Sequence, residues 1–242
     1  MRILYVFLTM AVATIAGYWS WTAYPELKNW VLDLANSGKF QTLEVRYSAE
    51  SIMETHKKDL LKDSDHAYLN PDLKFHPYLL MEVKYSKNSD RTGEGIILWS
   101  LIDGEMVIST NSWDKTHGFT DCIIAGADRD DFKIINALAT HNNAMDRESL
   151  SNFLNIDSEL LDIWIDNCRK KSLIVQSGNN YRLHLQNPNL QVVPETRLDQ
   201  WLVTKPSKNA SRIAKRFRSY QVENTARAAF GKDFTIRKTT EI

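Results

Sequence analysis

The chain has 242 residues, of which 43% are hydrophobic and 10% aromatic; this is enough apolar surface for packed cores and excludes an intrinsically disordered protein. The formal net charge is zero, but residues 205–238 carry ten basic and two acidic side chains, a local charge of +8 that the rest of the chain balances with −8. Such asymmetry predicts an acidic partner for the basic stretch: nucleic acid, anionic lipid or the acidic remainder of the protein. The two cysteines, Cys122 and Cys168, lack the spacing of a disulfide framework or a zinc site, and we expect two buried thiols.

The N-terminal segment, residues 1–25, predicts a membrane anchor. From Ile3 to Pro25 no side chain is charged, and these 23 residues would form a helix of about 34 Å, which crosses a hydrocarbon core of about 30 Å. The run ends in aromatic side chains typical of a lipid–water boundary: Tyr18, Trp19, Trp21 and Tyr24. We therefore predict a single transmembrane helix, roughly Ile3 to Thr22.

The alternative for this segment is a cleaved signal peptide. Its charged n-region would be only Met1 and Arg2, and cleavage at Ala11 to Ala13 would leave the aromatic residues on the mature chain, so we favour a retained anchor. The charges that flank the helix do not decide its orientation. A cytoplasmic location of the soluble part is the expectation.

Residues 26–125 alternate between strand and helix patterns and predict a small α+β domain. The predicted elements are, in chain order, an extended run Phe40–Tyr47, a helix Ala49–Leu61 and strands Tyr78–Tyr85, Gly95–Ile102 and Glu105–Thr110. Within the first of these strands Met81, Val83 and Tyr85 alternate with polar residues, so one face should be buried. The dipeptide Asp103-Gly104 is typical of a hairpin turn in which both residues take positive φ.

Residues 126–186 have a helical texture. Apolar residues at helical spacing predict a first helix from Asp130, a short second helix after Asp146 and a third helix over Ser158–Lys171. Two strands follow, Leu173–Gln176 and Tyr181–Leu185, joined by a turn that contains Gly178.

The order of these elements, three helices and then two strands around a glycine-asparagine turn, is that of a winged helix. The segment DFKIINALATHNNAMDRESLSNFLNIDSELLDIWIDNCRKKSLIVQSGNNYRLHL resembles winged helix-turn-helix domains, most clearly in CRKKSLIVQSGNNYRLHL, where the third helix runs into the wing. The resemblance covers about a quarter of the chain. It implies a third helix that either enters the DNA major groove or docks on a protein.

The outward face of the third helix distinguishes these two roles. This face carries four carboxylates: Asp157, Glu159, Asp162 and Asp166. They would repel DNA phosphates, whereas the basic residues 169–171 lie at the C-terminal end, where they complement the helix dipole. The wing adds only Arg182 and His184. We therefore predict that the four carboxylates bind a protein partner.

Residues 187–242 predict a linker followed by a basic tail. Within the tail, Ser219–Phe230 has a helical pattern that ends at Gly231, and Phe234–Ile236 is strand-like. A basic cluster precedes this helix and is a candidate for binding nucleic acid or lipid headgroups: Arg212, Lys215, Arg216 and Arg218. The alternative is a solvated, flexible linker. We also expect the tail to lie against the acidic face of the third helix.

Catalytic motifs are weak in this sequence. The best candidate is Cys122 with His117 and Asp121 in HGFTDC, a combination that arises easily by chance. There is no phosphate-binding glycine loop, GxSxG or HExxH motif. We expect no metal, no cofactor and no small-molecule substrate.

The sequence thus predicts an α+β protein, anchored in a membrane by a single span, that is not an enzyme and binds a protein partner through a winged-helix module. The alternative is a membrane-tethered regulator that binds nucleic acid through its basic tail and wing.

Overall fold

The computed structural model describes residues 39–46, 51–52, 54–55, 74–88, 91–185, 188–190, 193–206 and 211–242. These fall into two compact units, residues 39–42 with 203–206 and residues 43–202 with 211–242. Most of strands β1 (Lys39–Leu43) and β10 (Leu202–Pro206), which pair with each other, belongs to the first unit. The predicted transmembrane helix lies outside the described residues. Among the helices of the described part, none has the length and apolar character needed to cross a bilayer.

An antiparallel sheet forms the centre of the second unit. Its strands in the described residues are β3 (Tyr78–Asn88), β4 (Arg91–Ser100), β5 (Met106–Ser109), β6 (Asp114–Lys115) and β12 (Thr235–Glu241), in the order β12-β3-β4-β5-β6. This confirms the α+β class and the three strands predicted between Tyr78 and Thr110. A short parallel pair, β2 (Lys74–Phe75) with β11 (Ser211–Arg212), accompanies the sheet. Residues 51–52 and 54–55 have helical backbone within the predicted helix Ala49–Leu61.

Both faces of the central strands bury apolar side chains. Met81, Val83 and Tyr85 are buried on one face, as their alternation predicted. A smaller cluster, with Leu80 and Leu98, lies on the other face. The main core contains residues from all three regions predicted to follow residue 25, and it includes Trp99, Phe119, Phe132, Trp164, Val222 and Phe234.

The predicted hairpin after β4 is present, but its turn is not the predicted one. Strands β4 and β5 pair antiparallel, and residues 101–105 connect them. Gly104 has φ 74°, but Asp103 does not have a positive φ. Because a primed turn needs positive φ at both residues, the connection is not a two-residue primed turn. The longer loop is held by Trp99, whose indole Nε1 donates to the Gly104 carbonyl at 2.7 Å.

The longer loop also turns Glu105 into the interior, where it is only 6% exposed. Its carboxylate accepts hydrogen bonds from the backbone N–H groups of Gly118 (3.0 Å), Phe119 (3.3 Å) and Thr120 (2.9 Å). It also accepts from the hydroxyl groups of Thr116 and Thr120. Because these N–H groups belong to the first turn of helix α1 (Phe119–Ala125), Glu105 satisfies donors that have no partner within the helix.

Three further helices and a small sheet follow α1. They are α2 (Arg129–Thr140), β7 (Ala144–Asp146), α3 (Arg147–Leu154), α4 (Ser158–Lys170), β8 (Ile174–Ser177) and β9 (Asn180–Leu183). The sheet order is β7-β9-β8. The three predicted helices and the two predicted strands are confirmed here, whereas α1 and β7 were not predicted. Side chains of Asp128, Asp146 and Asp157 accept hydrogen bonds at the N-termini of α2, α3 and α4.

Residues 211–242 are folded, which corrects the prediction of a basic tail within the region 187–242. Helix α5 (Ser219–Phe230) ends at Gly231 as predicted, and its residues Val222 and Ala226 are fully buried in the main core. Strand β12 then pairs with β3 along its whole length. Of the basic side chains of this region, Arg227 projects from α5, and Arg237 and Lys238 project from the edge strand β12.

Candidate partner-binding site

Helix α4 has one face in the core and one in solvent. Leu161, Trp164, Ile165 and Cys168 are buried, at the spacing that the sequence predicted. Leu160 does not belong to this core face, because it is 37% exposed. The N-terminus of the helix is fixed by Asp157, whose carboxylate accepts from the Leu160 backbone N–H at 2.8 Å.

The solvent face of α4 is partly apolar. Ile163 is 57% exposed and lies one turn from Leu160. Glu159 is four residues before Ile163 and Asp166 is three residues after it, so the helical period places both on the side of Ile163. Asp162 directly precedes Ile163. An exposed aliphatic pair bordered by carboxylates is therefore what α4 offers to a ligand. We call Glu159, Leu160, Asp162, Ile163 and Asp166 the α4 face.

Most of the four predicted carboxylates already have partners. Asp157 serves as the helix cap, and Asp162 makes two hydrogen bonds of 2.8 Å with the guanidinium of Arg147. These bonds lower the pKa of Asp162 below its ordinary value of 3.8. Asp166 lies 3.8 Å from Arg169. Glu159 is exposed and has no hydrogen bond or ion pair with any described residue, so it is the carboxylate most available to a partner.

The sequence did not predict the ion pair between Arg147 and Asp162. Arg147 opens α3, whereas Asp162 lies on α4, and the 15-residue separation gives no local periodicity that would pair them. The pair also ties α3 to α4, because Arg147 donates to the Ser158 carbonyl at 3.2 Å. It fixes the angle at which the α4 face is presented.

A second polar cluster fixes the other end of α4. Lys171 binds the carboxylates of Asp128, at 2.8 Å, and of Asp131, which is 1% exposed. Burial opposes ionisation of Asp128, but hydrogen bonds from Lys171 and from the α2 backbone lower its pKa. The Cys168 thiol donates to Asp131 at 3.4 Å. The capping pattern Asp128-x-x-Asp131 is the sequence signal that could have indicated this cluster.

The basic cluster of the sequence prediction is not on the α4 face. Arg212 lies in β11, Lys215 forms an ion pair with Glu241, Arg216 lies over the Phe217 ring with 5.1 Å to its centroid, and Arg218 is the residue before α5. No described ion pair joins any of them to α4. For residues 211–242 the expectation that the tail lies against the acidic face is therefore wrong, because Lys215 is paired with Glu241 of β12 and Arg218 directly precedes α5.

The wing residues are exposed, whereas the candidate thiol is buried. Arg182 and His184 are exposed, and the His184 Nδ1 lies 3.2 Å from the Ser172 carbonyl oxygen. Cys122 and Cys168 are free and buried, which confirms two buried thiols. Burial, and then the nearby carboxylates of Glu105, Asp121 and Asp131, raise the pKa of Cys122, which disfavours the nucleophilic thiolate. Among the described residues, no group of three or more histidine, cysteine or acidic side chains could hold a metal ion.

Comparison of the whole chain with protein-family models, with curated proteins and with solved structures gives no match.

Proposed function

We propose that this chain is a non-enzymatic interaction protein whose winged helix-turn-helix module, residues 129–183, docks a protein partner on the α4 face. The order α2-β7-α3-α4-β8-β9 and the sheet order β7-β9-β8 support the assignment of the module. In this assignment α4 is the recognition helix and the turn between β8 and β9 is the wing.

The exposure of Ile163 carries the proposal. A helix that enters the major groove presents basic and amide side chains to phosphates and base edges. Here the centre of the corresponding face is an aliphatic side chain that is 57% exposed, with Glu159 and Asp166 beside it. Such a surface favours a partner segment that is both apolar and basic, since burial of Ile163 and neutralisation of Glu159 would then occur together.

The proposal includes a membrane tether. Residues 3–25 carry no charge and end in aromatic residues, and such a run supports one membrane span. The folded part would then present α4 to partners near the same membrane. Retention of the anchor predicts that the full-length protein resists carbonate extraction from membranes and keeps Met1 or Arg2 as its N-terminus; a mature N-terminus near Thr14 or Gly17 would contradict it.

The second candidate function is nucleic-acid binding through the basic cluster and the wing. One observation favours it: Arg216 and Arg218, two residues apart in the chain, are both exposed, and neither guanidinium has an ion pair with a described residue. The pairing of Lys215 with Glu241 reduces the charge available to phosphates.

Binding measurements on the full-length chain separate the two functions. The probes are a labelled amphipathic peptide with leucines on one face and lysines on the other, a scrambled peptide of the same composition, and an unrelated short DNA duplex. At about 0.15 M salt we expect the amphipathic peptide to bind, the scrambled peptide to bind more weakly and the duplex not to bind. Ile163→Glu should weaken peptide binding at least about tenfold.

The matched control is Ile124→Glu, which changes an equally exposed isoleucine, 61% against 57%, on helix α1. It should leave peptide binding unchanged. Binding of the duplex at about 0.15 M salt, abolished by Arg216→Glu with Arg218→Glu and improved by Asp162→Lys, would reject the protein-docking function in favour of the second candidate.

A further inference from the structure

A cleft of about 510 Å³ lies between helix α5 and the corner where α1 passes into α2. Its volume falls in the range of small-molecule pockets, roughly 300–1,000 Å³. The α4 face contributes no residue to it. Its walls come from α1, the α1–α2 turn and the exposed side of α5: Ile123, Ala127, Arg129, Asn224, Arg227 and Ala228 are among the lining residues.

The cationic groups of this cleft are poorly compensated. Arg129 is half-buried, and its guanidinium has no hydrogen bond or ion pair with any described residue. Its Nη2 lies 4.0 Å from the position of a Cβ added to Gly231, at the end of α5. Arg227 forms an ion pair with Glu223, but their separation of 3.8 Å is beyond hydrogen-bonding distance. The two guanidinium groups thus retain donors for an external acceptor.

The acidic residue of the cleft does not offset these cations. Asp128 lines the cleft, but its carboxylate accepts from Lys171 and from the backbone N–H groups of Asp130 and Asp131. Its charge is therefore committed to Lys171 and to the start of α2. Glu223 offsets part of the charge of Arg227, whereas Arg129 has no ion pair with a described residue. Arg129 therefore gives this partly enclosed site an excess of positive charge, which favours an anion.

The remaining lining defines the rest of the ligand. Ile123, Ala127 and Ala228 supply an apolar surface, Asn224 supplies an exposed side-chain amide, and Tyr220, which is 56% exposed, supplies a ring at the rim. Guanidinium groups recognise phosphate and carboxylate oxygens by bidentate hydrogen bonds. We propose that this cleft binds a small organic anion, with its phosphate or carboxylate head between Arg129 and Arg227 and a compact apolar part against α1 and α5.

The test uses calorimetric titration of the full-length chain with four probes. Phenyl phosphate and benzoate carry both an anionic head and a ring, inorganic phosphate carries the head alone, and benzyl alcohol carries the ring with a neutral hydroxyl in place of the anion. We expect phenyl phosphate or benzoate, whichever head the site accepts, to bind more tightly than inorganic phosphate, and benzyl alcohol not to bind. Arg129→Gln and Arg227→Gln should each weaken that binding at least about tenfold.

Two further variants keep the test decisive if an arginine substitution disturbs folding. Asn224→Trp fills the cleft from an exposed position of α5 without changing its charge and should abolish binding. Arg182→Gln removes an exposed arginine from β9, outside the cleft, and should have no effect. The proposal would be overturned if Asn224→Trp bound the anion as tightly as the native chain does. It would also be overturned if Arg182→Gln weakened binding as much as Arg129→Gln does, or if neither aromatic anion bound.

Discussion

Replacement of Glu105 by alanine should unfold the junction between the central sheet and helix α1. The carboxylate accepts three backbone N–H groups and two hydroxyl groups while only 6% exposed. The hydroxyl of Thr116 can turn to the Met106 carbonyl, 3.3 Å away, but the N–H groups cannot turn. Each buried donor that loses its acceptor costs about 1–3 kcal/mol, so three of them cost about 3 kcal/mol or more.

The assay is thermal or urea unfolding of the full-length chain followed by tryptophan fluorescence. Trp99 is a local reporter, because its ring centroid is 4.7 Å from that of Phe119 at the start of α1. For a chain of this size a loss of about 3 kcal/mol lowers Tm by about 6–12 °C. Glu105→Gln keeps the shape and one acceptor oxygen, and it should cost less, about 1–2 kcal/mol.

Glu94→Ala is the matched control for this prediction. Glu94 also lies in the second unit, but its side chain is 62% exposed and pairs with Arg237 at 2.8 Å. Surface pairs of this kind contribute about 0–1 kcal/mol. If Glu105→Ala destabilised the chain no more than Glu94→Ala does, the carboxylate would not be the structural cap of α1 and the reasoning would be refuted.

Three other predictions follow from the fold. Gly104→Val should cost of order 1 kcal/mol or more, because φ is 74° and a Cβ would meet Phe217 at 2.8 Å; an unchanged Tm would refute this. Trp164→Ala, at a site 7% exposed, should cost about 3–5 kcal/mol in chemical denaturation. In the folded protein the pKa of Asp128 is below its ordinary value of 3.8. The ionised carboxylate therefore contributes to folding stability above pH 3.8, and this contribution is lost as the pH falls through the lowered pKa. Unfolding measured from neutral pH to about pH 2 should therefore show less acid destabilisation in Asp128→Asn, and an identical pH profile would contradict the role of Lys171.

The helices of residues 129–170 could be predicted because their signals are local. Asp146 and Asp157 directly precede α3 and α4 and cap them, and the apolar residues of α4 recur with the period of its buried face. Leu160 shows the limit of periodicity. It lies near the edge of the apolar stripe and is 37% exposed, although it is four residues from the buried Trp164.

The features that the sequence did not reveal depend on contacts between distant residues. The sequence indicated a strand at Phe234–Ile236, where β12 begins, but not its pairing with β3 more than 150 residues earlier. The mostly exposed residues TIRKTTE have no apolar alternation that would indicate the rest of this edge strand. Glu105 follows Asp103-Gly104 and resembles the polar end of a turn. The backbone N–H groups that donate to its carboxylate begin 13 residues later, at Gly118. The sequence shows the basic charge of residues 205–238 but not where it is neutralised. In the described residues, its ion pairs are with Glu82, Glu94, Glu223 and Glu241.

Amide hydrogen exchange of the full-length chain, alone and with the amphipathic leucine–lysine peptide, tests the docking function most directly. At about 0.15 M salt the α4 face should slow in exchange when the peptide binds, with the strongest protection around Ile163, and Ile163→Glu should abolish that protection. Protection confined to residues 211–218, or protection of α4 that persists in Ile163→Glu, would contradict the assignment of α4 as the partner-binding helix.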